Sequence, residues 1–558
     1  MSAGLSNSRL AERLDRHARL LEIAGESAFR ARSYLRAAET VRELDVPVNE
    51  IAQDGMLRTL PGVGEAMAGA ITSLLETGSF AGHDELTQQF PESLLDLASV
   101  PGIGPKSVNK LFTKLKVATL DELAAAAESG IIAATPGLGN RVQKAAVEGL
   151  AQLAARTGKI PLGSARAAAA LFAAAYSVTR PQDAISATGG VRRWDVLVDE
   201  LRFVIATADP DDARNAISRL PGVESVTAES AHELAIRFDD DKSGRVYLTS
   251  PESYGSLLAR TTGTPAHLAR LGEISDGLAA EEMVYAAVGL PWIPPELRSG
   301  DEVFTRLGEI PDLITTADLN GELHAHTTWS DGQATVEEMA RSARKRGYTF
   351  LGITDHSQSL AVANGLNHGR LLAQRAELHA ASSNVGIPLL AGAEVEVLSD
   401  GSMDYPDTVL AELDVVVGSL HGGLRQPRAK LVDRQVRTLR NPHVDILAHP
   451  SGRLLERREG GDFDWDVTFA TAAETGTALE INADPARLDL DPKLARIAAE
   501  AGCLITINSD AHWVDGFDTV EFGVMMARKA WLKPAQVLNA WEPERVLLWL
   551  RDRAAARR

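Results

Sequence analysis

A chain of 558 residues is too long for one hydrophobic core, so about three to five domains are expected. Hydrophobic content of 45%, charged content of 24% and the lack of an apolar run long enough to span a bilayer point to a soluble globular protein and exclude a membrane-spanning one. A lone cysteine, Cys503, excludes an internal disulfide framework, and a formal charge of −19 argues against nucleic-acid binding by average charge, though not by a local patch or by backbone amides.

The opening residues lack the apolar core of a signal peptide, so a cytoplasmic location is expected. Apolar residues at helical spacing in "RLAERLDRHARLLEIAG" and "FRARSYLRAAETVREL" predict helices through the first 85 residues. Three related segments follow: "LPGVGEAMAGAI" from Leu60, "VPGIGPKSVNKLF" from Val100 and "TPGLGNRVQKAAV" from Thr135. Each is P-G-x-G leading into a helix. The glycines (Gly62, Gly64, Gly102, Gly104, Gly137 and Gly139) allow a tight hairpin, and amides at the next helix's start face outward, where Lys106 can join them against an anion. These segments resemble helix-hairpin-helix motifs, which hold nucleic-acid backbone without reading sequence.

From about 155 to 235 short strands mix with helices, as in "LRFVIATA" and "ELAIRF". Helical pattern then runs to about 290, and "GLPWIPPELRSGDE" has the Pro and Gly density of a linker. After "LNGELHAHT", apolar strand-like runs alternate with helices, and many end in a ligand-type residue. They supply His324, His326, Asp331, Asp355, His356, Glu394, His421, His449, Asp510 and His512, with Asn482 at a further strand end. Seven strands with intervening helices read as a barrel, whose functional residues belong at the C-terminal ends of the strands. In H-x-H on a strand both imidazoles point to one side, so His324 and His326 can share an ion. Imidazole and carboxylate without thiolate suit zinc, manganese or iron. The set exceeds the need of one ion, so two or three close metals are expected, with Glu394 as a bridge. Such clusters fit phosphoester hydrolysis, with amide or deamination hydrolysis as the competing chemistry.

Residues 319–558 resemble the polymerase and histidinol phosphatase (PHP) domain, on "HAHTTWSDG", "ITDHS", "GAEVEV", "SLHGG", "AHPSGRLL" and "SDAH" in that order. The resemblance implies one ion at His324, His326, Glu394 and Asp510, a second at Asp331, His356 and His449, and a third at Glu394, His421 and His512. It further implies that Asp355 supports the site and that Arg453 contacts phosphate.

With that domain in place, the whole chain resembles a bacterial family X DNA polymerase fused to a PHP domain. The implied fold is multidomain: α-helical helix-hairpin-helix regions, an α/β nucleotidyltransferase-like palm and thumb, and a C-terminal PHP (β/α)7 barrel. The divisions are a lyase-like domain at 1–85, fingers at 86–155, palm at 156–235, thumb at 236–292, linker at 293–318 and PHP domain at 319–558.

The palm departs from its family. The pattern there is G-S-x-R-R, then G-D-x-D on a strand, with a third aspartate on a neighbouring strand, and two magnesium ions need those carboxylates. In "GGVRRWDVLVDELRFV" the turn keeps Gly189, Arg192 and Arg193, with the arginine pair a candidate phosphate contact, but the acid positions hold Glu200 and Arg202. Tyr247 stands at the third. A cation where divalent ions should sit costs about 4 kcal/mol per unit charge pair at ~4 Å and an effective dielectric near 20, so magnesium in the palm is not expected. Lyase activity by a Schiff base is not expected either, because Ala66 and Ala70 stand where lysines belong. The expectation is a DNA-binding, multi-metal phosphodiesterase of repair acting on gapped, nicked or 3′-ended DNA as a 3′-5′ exonuclease, with cleavage at abasic sites or of blocked 3′ ends as related outcomes. Alternatives are an active polymerase with a proofreading barrel, a DNA-binding scaffold and a small-molecule phosphatase.

Overall fold

The computed structural model describes residues 7–42, 44, 47–156, 158–240, 242–455 and 458–556, so the first six residues of the opening segment lie outside the described residues. The chain forms two compact units, residues 1–157 and 158–558.

The first unit is helical. Helices α1 (Asn7–Ala24) and α2 (Ala28–Arg42) pair through residues at helical spacing, with Leu10, Leu14, Ala37, Ala38 and Val41 buried together. They close over α3 (Glu65–Thr77), which follows the first P-G-x-G and buries Met67, Ile71 and Leu74. The second hairpin leads into α4 (Pro105–Leu115) and the third into α5 (Gly139–Arg156), and these share a core with Leu97, Val100, Ile103, Val108, Leu111 and Val142.

The second unit opens with α6 (Leu162–Thr179), laid on a five-stranded sheet. The strands are β1 (Ala184–Thr188), β2 (Leu201–Ala206), β3 (Val223–Ala228), β4 (Glu233–Phe238) and β5 (Ser243–Thr249), in spatial order β1-β2-β5-β4-β3. Only β2 and β5 run parallel; the other pairs are antiparallel. The expected palm boundary at 235 is therefore misplaced: it cuts β4 and leaves out β5, the strand that sits centrally against β2. Helices α7 (Tyr254–Thr262) and α8 (Glu281–Ala287) follow. The expected linker is packed structure, because Ile293, Leu297 and Val303 are buried with Val284 and Tyr285. Its prolines and glycines form short 3-10 turns, Pro295–Leu297 and Leu307–Glu309, in place of a tether.

Seven parallel strands complete the unit: β6 (Gly321–Glu322), β7 (Phe350–Ile353), β8 (Leu389–Glu396), β9 (Val415–Ser419), β10 (Ile446–Leu447), β11 (Ala478–Asn482) and β12 (Ile505–Asn508). They stand side by side in chain order, as right-handed β-α-β crossovers produce. The ends approach each other through a parallel bridge between Ala325 and Ala511, where His326 N donates to Ala511 O at 2.8 Å. Below it the Asn539 side chain stands in for ladder hydrogen bonds, donating to Gly321 O and Ile507 O and accepting from Ile507 N. Strands buried on both faces explain the unbroken apolar runs.

Candidate metal centre

All nine expected ligands come from one rim of the barrel. His324 and His326 follow β6 with Asp331 in the next turn; His356 follows β7; Glu394 lies in β8; His421, His449 and then Asp510 with His512 follow β9, β10 and β12. His324 Nε2 and His326 Nε2 lie 3.6 and 3.1 Å from Asp510 Oδ1, and each is 3.6 Å from Glu394 Oε2. His356 Nε2 and His512 Nε2 approach the two oxygens of Asp331 at 3.4 and 3.5 Å. His421 Nε2 and His449 Nε2 lie 3.2 and 2.9 Å from Glu394 Oε1. Glu394 thus borders two pockets, one with each oxygen.

This grouping exchanges His449 and His512 relative to the expected one. Barrel order is the reason: β10 stands beside β9, which sets His449 by His421, whereas β12 closes on β6, which sets His512 by Asp331.

Do these residues fit ions? His324 Nε2, His326 Nε2 and Asp510 Oδ1 are buried without a hydrogen-bond partner among the described residues. Buried polar atoms are almost always paired, so a converging unpaired set asks for a ligand. In each of three groups, His324/His326/Asp510, His326/Asp331/His356/His512 and His356/Glu394/His421, one ligand atom per residue lies within 4.8 Å of the others. Nitrogen and oxygen donors at that convergence fit divalent cations.

A second ring of groups, of which the sequence pointed only to Asn482, fixes the ligands. His324 Nδ1 donates to Glu480 Oε1 at 2.8 Å, leaving Nε2 free to face an ion. Glu480 Oε2 accepts from His449 N at 2.9 Å and from Asn482 Nδ2 at 3.1 Å. Asn482, an expected strand-end candidate, also donates to Asp510 Oδ2 at 3.1 Å, so it holds a ligand. His421 Nδ1 donates to Glu396 Oε2 at 2.7 Å, and His512 Nδ1 donates to Asp510 O at 2.7 Å. Glu322, fully buried, caps the chain around both ends of the site by accepting from His324 N and Ser509 N. His449 and Asp510 both adopt positive φ, of 28° and 56°, a strained conformation that persists only where the surroundings enforce it.

Without ions the cluster is strongly coupled. Burial opposes charge on His356, but Glu394 and Asp331 outweigh it and push its pKa up to about 10. The same contest raises His421 and His512 to about 9, the first through Glu394 and Glu396, the second through Asp331 and Asp510. His326 is pushed down to about 3 by burial and by the neighbouring His512 and His356. For Glu394, burial works against ionisation and the imidazoles of His421, His356 and His324 reverse it, holding the carboxyl well below its usual range.

Asp355 stands behind the ligands, and Arg453, expected at phosphate, is turned elsewhere. Asp355 is fully buried, and its oxygens accept from Thr327 N, Ser330 N, Thr327 Oγ1 and Gln374 Nε2, so it shapes the loop carrying Asp331. Arg453 is spent on backbone, donating to the carbonyls of Arg487 and Leu488. The arginine beside the ligands is Arg487, whose Nε lies 3.8 Å from Asp510 Oδ2.

Over residues 322–483 the chain matches the model for "PHP domain", and residues 6–80 and 94–150 match "Helix-hairpin-helix domain" and "SAM-like Helix-hairpin-helix tandem". Across 544 residues it is 34% identical to "DNA polymerase/3'-5' exonuclease PolX" of Bacillus subtilis (strain 168), covering 93% of this chain and 95% of the relative. The chain belongs to the PolX family. The barrel is also similar to shorter relatives. A probable phosphatase of Thermoanaerobacter sp. (strain X514) is 28% identical over 233 residues, 39% of this chain and 89% of the relative. One of Aliivibrio fischeri (strain MJ11) is 29% identical over 205 residues, 35% of this chain and 78% of the relative.

Within this PolX chain the palm-like sheet carries ion pairs at the acid positions. Glu200 Oε1 accepts from Arg202 Nε at 2.8 Å and lies 3.4 Å from Arg245 Nε. Arg245 also pairs with Glu229 and Glu233, each at 2.5 Å. Arg202 is in register with Arg245, and Tyr247 stands two residues beyond on the same face, beside Val204. Arg192 and Arg193, expected at phosphate, face inward. Arg192 makes two 2.7 Å bonds to Glu281, which Arg298 also holds at 2.6 Å, and Arg193 donates to Thr262 O at 2.6 Å. An acid 89 residues away in sequence takes the charge that was expected to meet DNA.

The first glycine of each hairpin takes the left-handed backbone that a tight turn needs. Gly62, Gly102 and Gly137 have φ of 76°, 85° and 85°, and a Cβ on Gly102 would sit 2.9 Å from Ala145 Cβ. Gly64 and Gly104 cap α3 and α4 in extended conformation, whereas Gly139 starts α5 with φ 73°. Lys106 is exposed at the start of α4, and one and two turns on along the same helix face Lys110 and Lys114 donate to Gly137 O and Pro136 O of the third hairpin. That lysine stripe is a local basic patch on an acidic chain, and the spacing alone could have revealed it. In α3, Ala70 is buried and Ala66 exposed, and the chain's first lysine is Lys106.

Proposed function

We propose that this protein is a metal-dependent 3′-5′ exodeoxyribonuclease of DNA repair, whose barrel hydrolyses phosphodiesters while its palm does not transfer nucleotides. The observation that carries the reading is the convergence of unpaired, buried imidazole and carboxylate atoms at one rim. Two or three divalent ions there, zinc, manganese or iron, would supply Lewis acidity and lower the pKa of water to near neutral. The chain's own residues set the geometry. Glu394 ties two pockets together, Glu480 and Glu396 orient His324 and His421, and Asp355 holds the loop of Asp331. Substrate enters from the side of Asp331 and His512, which are 35% and 28% exposed where His324 and His326 are fully covered.

The names of the relatives support phosphoester chemistry: one is called a 3′-5′ exonuclease and the shorter ones probable phosphatases. The hairpins favour DNA over a small molecule, because three backbone-gripping turns and a lysine stripe serve a polymer, and the DNA is taken to be gapped, nicked or 3′-ended. Such a role implies a cytoplasmic protein. The Bacillus relative's name also contains polymerase activity. Here Arg202 and Arg245 stand within reach of Glu200, and their charge disfavours two magnesium ions at that place.

The test is degradation of 3′-labelled single-stranded, nicked and gapped DNA by wild type and by a His324→Ala, His326→Ala double variant, with metal analysis of both. Loss of cleavage together with loss of bound metal is expected. Primer extension with magnesium or manganese should be absent; extension that survives His326→Ala and disappears with Glu200→Ala would refute the palm reading.

A further inference from the structure

Arg487 follows β11 in the loop "NADPARLDL", and its guanidinium lies beside the ligand Asp510. Its side chain is 14% exposed, and both Nε and Nη1 are buried without a hydrogen-bond partner among the described residues. The acids around it stand too far off to satisfy them: from Nε, Asp510 Oδ2 is 3.8 Å away and Asp484 Oδ2 4.0 Å. Asp510 Oδ2 is already occupied by Asn482 Nδ2 at 3.1 Å. On its other side, the charge of Arg487 bears on His449. A second guanidinium borders that pocket, for Arg458 Nη1 donates to His421 O at 3.2 Å.

An arginine stays protonated and cannot ligate a cation, so two unpaired buried donors on it call for an anion. Arg487 thus has two ligands of the cluster as neighbours, Asp510 at 3.8 Å and His449, which itself lies 2.9 Å from Glu394. Arginine's planar donors match phosphate oxygens.

We propose that Arg487 binds a non-bridging oxygen of the phosphate that is cut, and so acts as a catalytic residue of the barrel. The assignment rests on the hydrolase reading above. It replaces Arg453, whose Nε and Nη2 are used by backbone carbonyls and whose Nη1 faces Asp491.

The test uses full-length, metal-loaded protein and dTMP as the phosphate probe, measuring dTMP affinity, kcat/KM on a single-stranded oligonucleotide, and metal content. Arg487→Ala should keep the wild-type metal content while dTMP affinity and kcat/KM each fall about 10- to 200-fold, the size of a lost hydrogen bond to a charged group. Arg487→Lys should recover part of the affinity by charge alone, and it also serves if the alanine variant does not fold. Affinity within about threefold of wild type in both variants would overturn the assignment. So would loss of metal from them, which would make Arg487 a support for Asp510. Wild type that neither binds dTMP nor cleaves DNA would bring down the hydrolase reading and this one together. Wild type that does both, matched by Arg487→Ala, would bring down this one only.

Discussion

Glu480→Gln tests whether the groups behind the ligands govern metal affinity. The Glu480 carboxylate is completely buried and accepts four hydrogen bonds: His324 Nδ1 at 2.8 Å and Asn508 Nδ2 at 2.9 Å on Oε1, and His449 N at 2.9 Å and Asn482 Nδ2 at 3.1 Å on Oε2. A carboxamide has one oxygen and one NH2 group, so in either orientation two of those donors meet another donor. Each buried donor left unpaired costs about 1–3 kcal/mol, giving a loss of roughly 2–6 kcal/mol in the metal-free protein. Turned one way, the amide also deprives His324 of its acceptor and its basicity, and losing such an outer partner lowers metal affinity about 10- to 100-fold. The pocket of Asp331, His356 and His512 does not touch Glu480 and serves as the internal control. The assay is competition with a chelator, counting ions retained per chain, alongside urea unfolding of the metal-free form. One ion should be lost before the rest. Wild-type affinity for every ion, with wild-type unfolding, would refute the reasoning.

Three further outcomes follow from the same geometry. Because His356, His421 and His512 titrate at about 10, 9 and 9 without ions, they carry protons at pH 7 that ligation must displace. Calorimetry of metal binding in buffers of different ionisation enthalpy should show proton release, with affinity rising toward pH 9, and no buffer dependence would contradict it. Glu281→Ala strands Arg192 and the fully buried Arg298, so denaturant unfolding of this unit should lose about 3–5 kcal/mol. Burial opposes ionisation of Glu281, yet the two arginines hold its carboxyl below the ordinary range, so its contribution is present above the ordinary carboxylate pKa and fades as pH falls below it. Gly102→Ala combines a φ of 85° with a 2.9 Å approach to Ala145 Cβ, and should weaken both the stability of the hairpin unit, by about 1–3 kcal/mol, and DNA retention in a gel-shift assay.

Ligand residues were legible because strand alternation makes them so: His324 and His326 must face one way, and an acid or imidazole ending an apolar run in a barrel has few other uses. Their grouping was not legible, since the neighbour of His512 is decided by closure of β12 on β6 and not by any local pattern. Glu480 carries a signal in the sequence, an acid two residues before Asn482 on the same face of a buried strand. Arg487 carried none, because nothing in "NADPARLDL" shows that its donors go unpaired. The palm boundary failed for a related reason. Strand β5 joins β2 from beyond the β3–β4 hairpin, and parallel pairing at that separation leaves no turn signature.

The altered palm signature acquires a purpose once its contacts are traced. Arg192 and Arg193 bind Glu281 and Thr262, which fastens the turn to α7 and α8. The next residue, Trp194, is buried at φ 57°, with the Arg166 guanidinium 3.5 Å from its ring centroid and the edge of Phe522 against it at 5.3 Å. Asp195 then accepts from Lys529 Nζ at 3.2 Å, and the same amine reaches Arg193 O at 2.8 Å. Phe522 and Lys529 both belong to the helix Val520–Lys529, which begins eight residues after the ligand His512. The segment thus locks the sheet on two sides: Arg192 and Arg193 to α7 and α8, Trp194 and Asp195 to the helix of the barrel. The turn gives its charge and aromatic surface to packing. Most of the turn's guanidinium donors are thereby occupied: Arg192 Nη1 and Nη2 by Glu281, and Arg193 Nη1 and Nη2 by Thr262 O and Asp195.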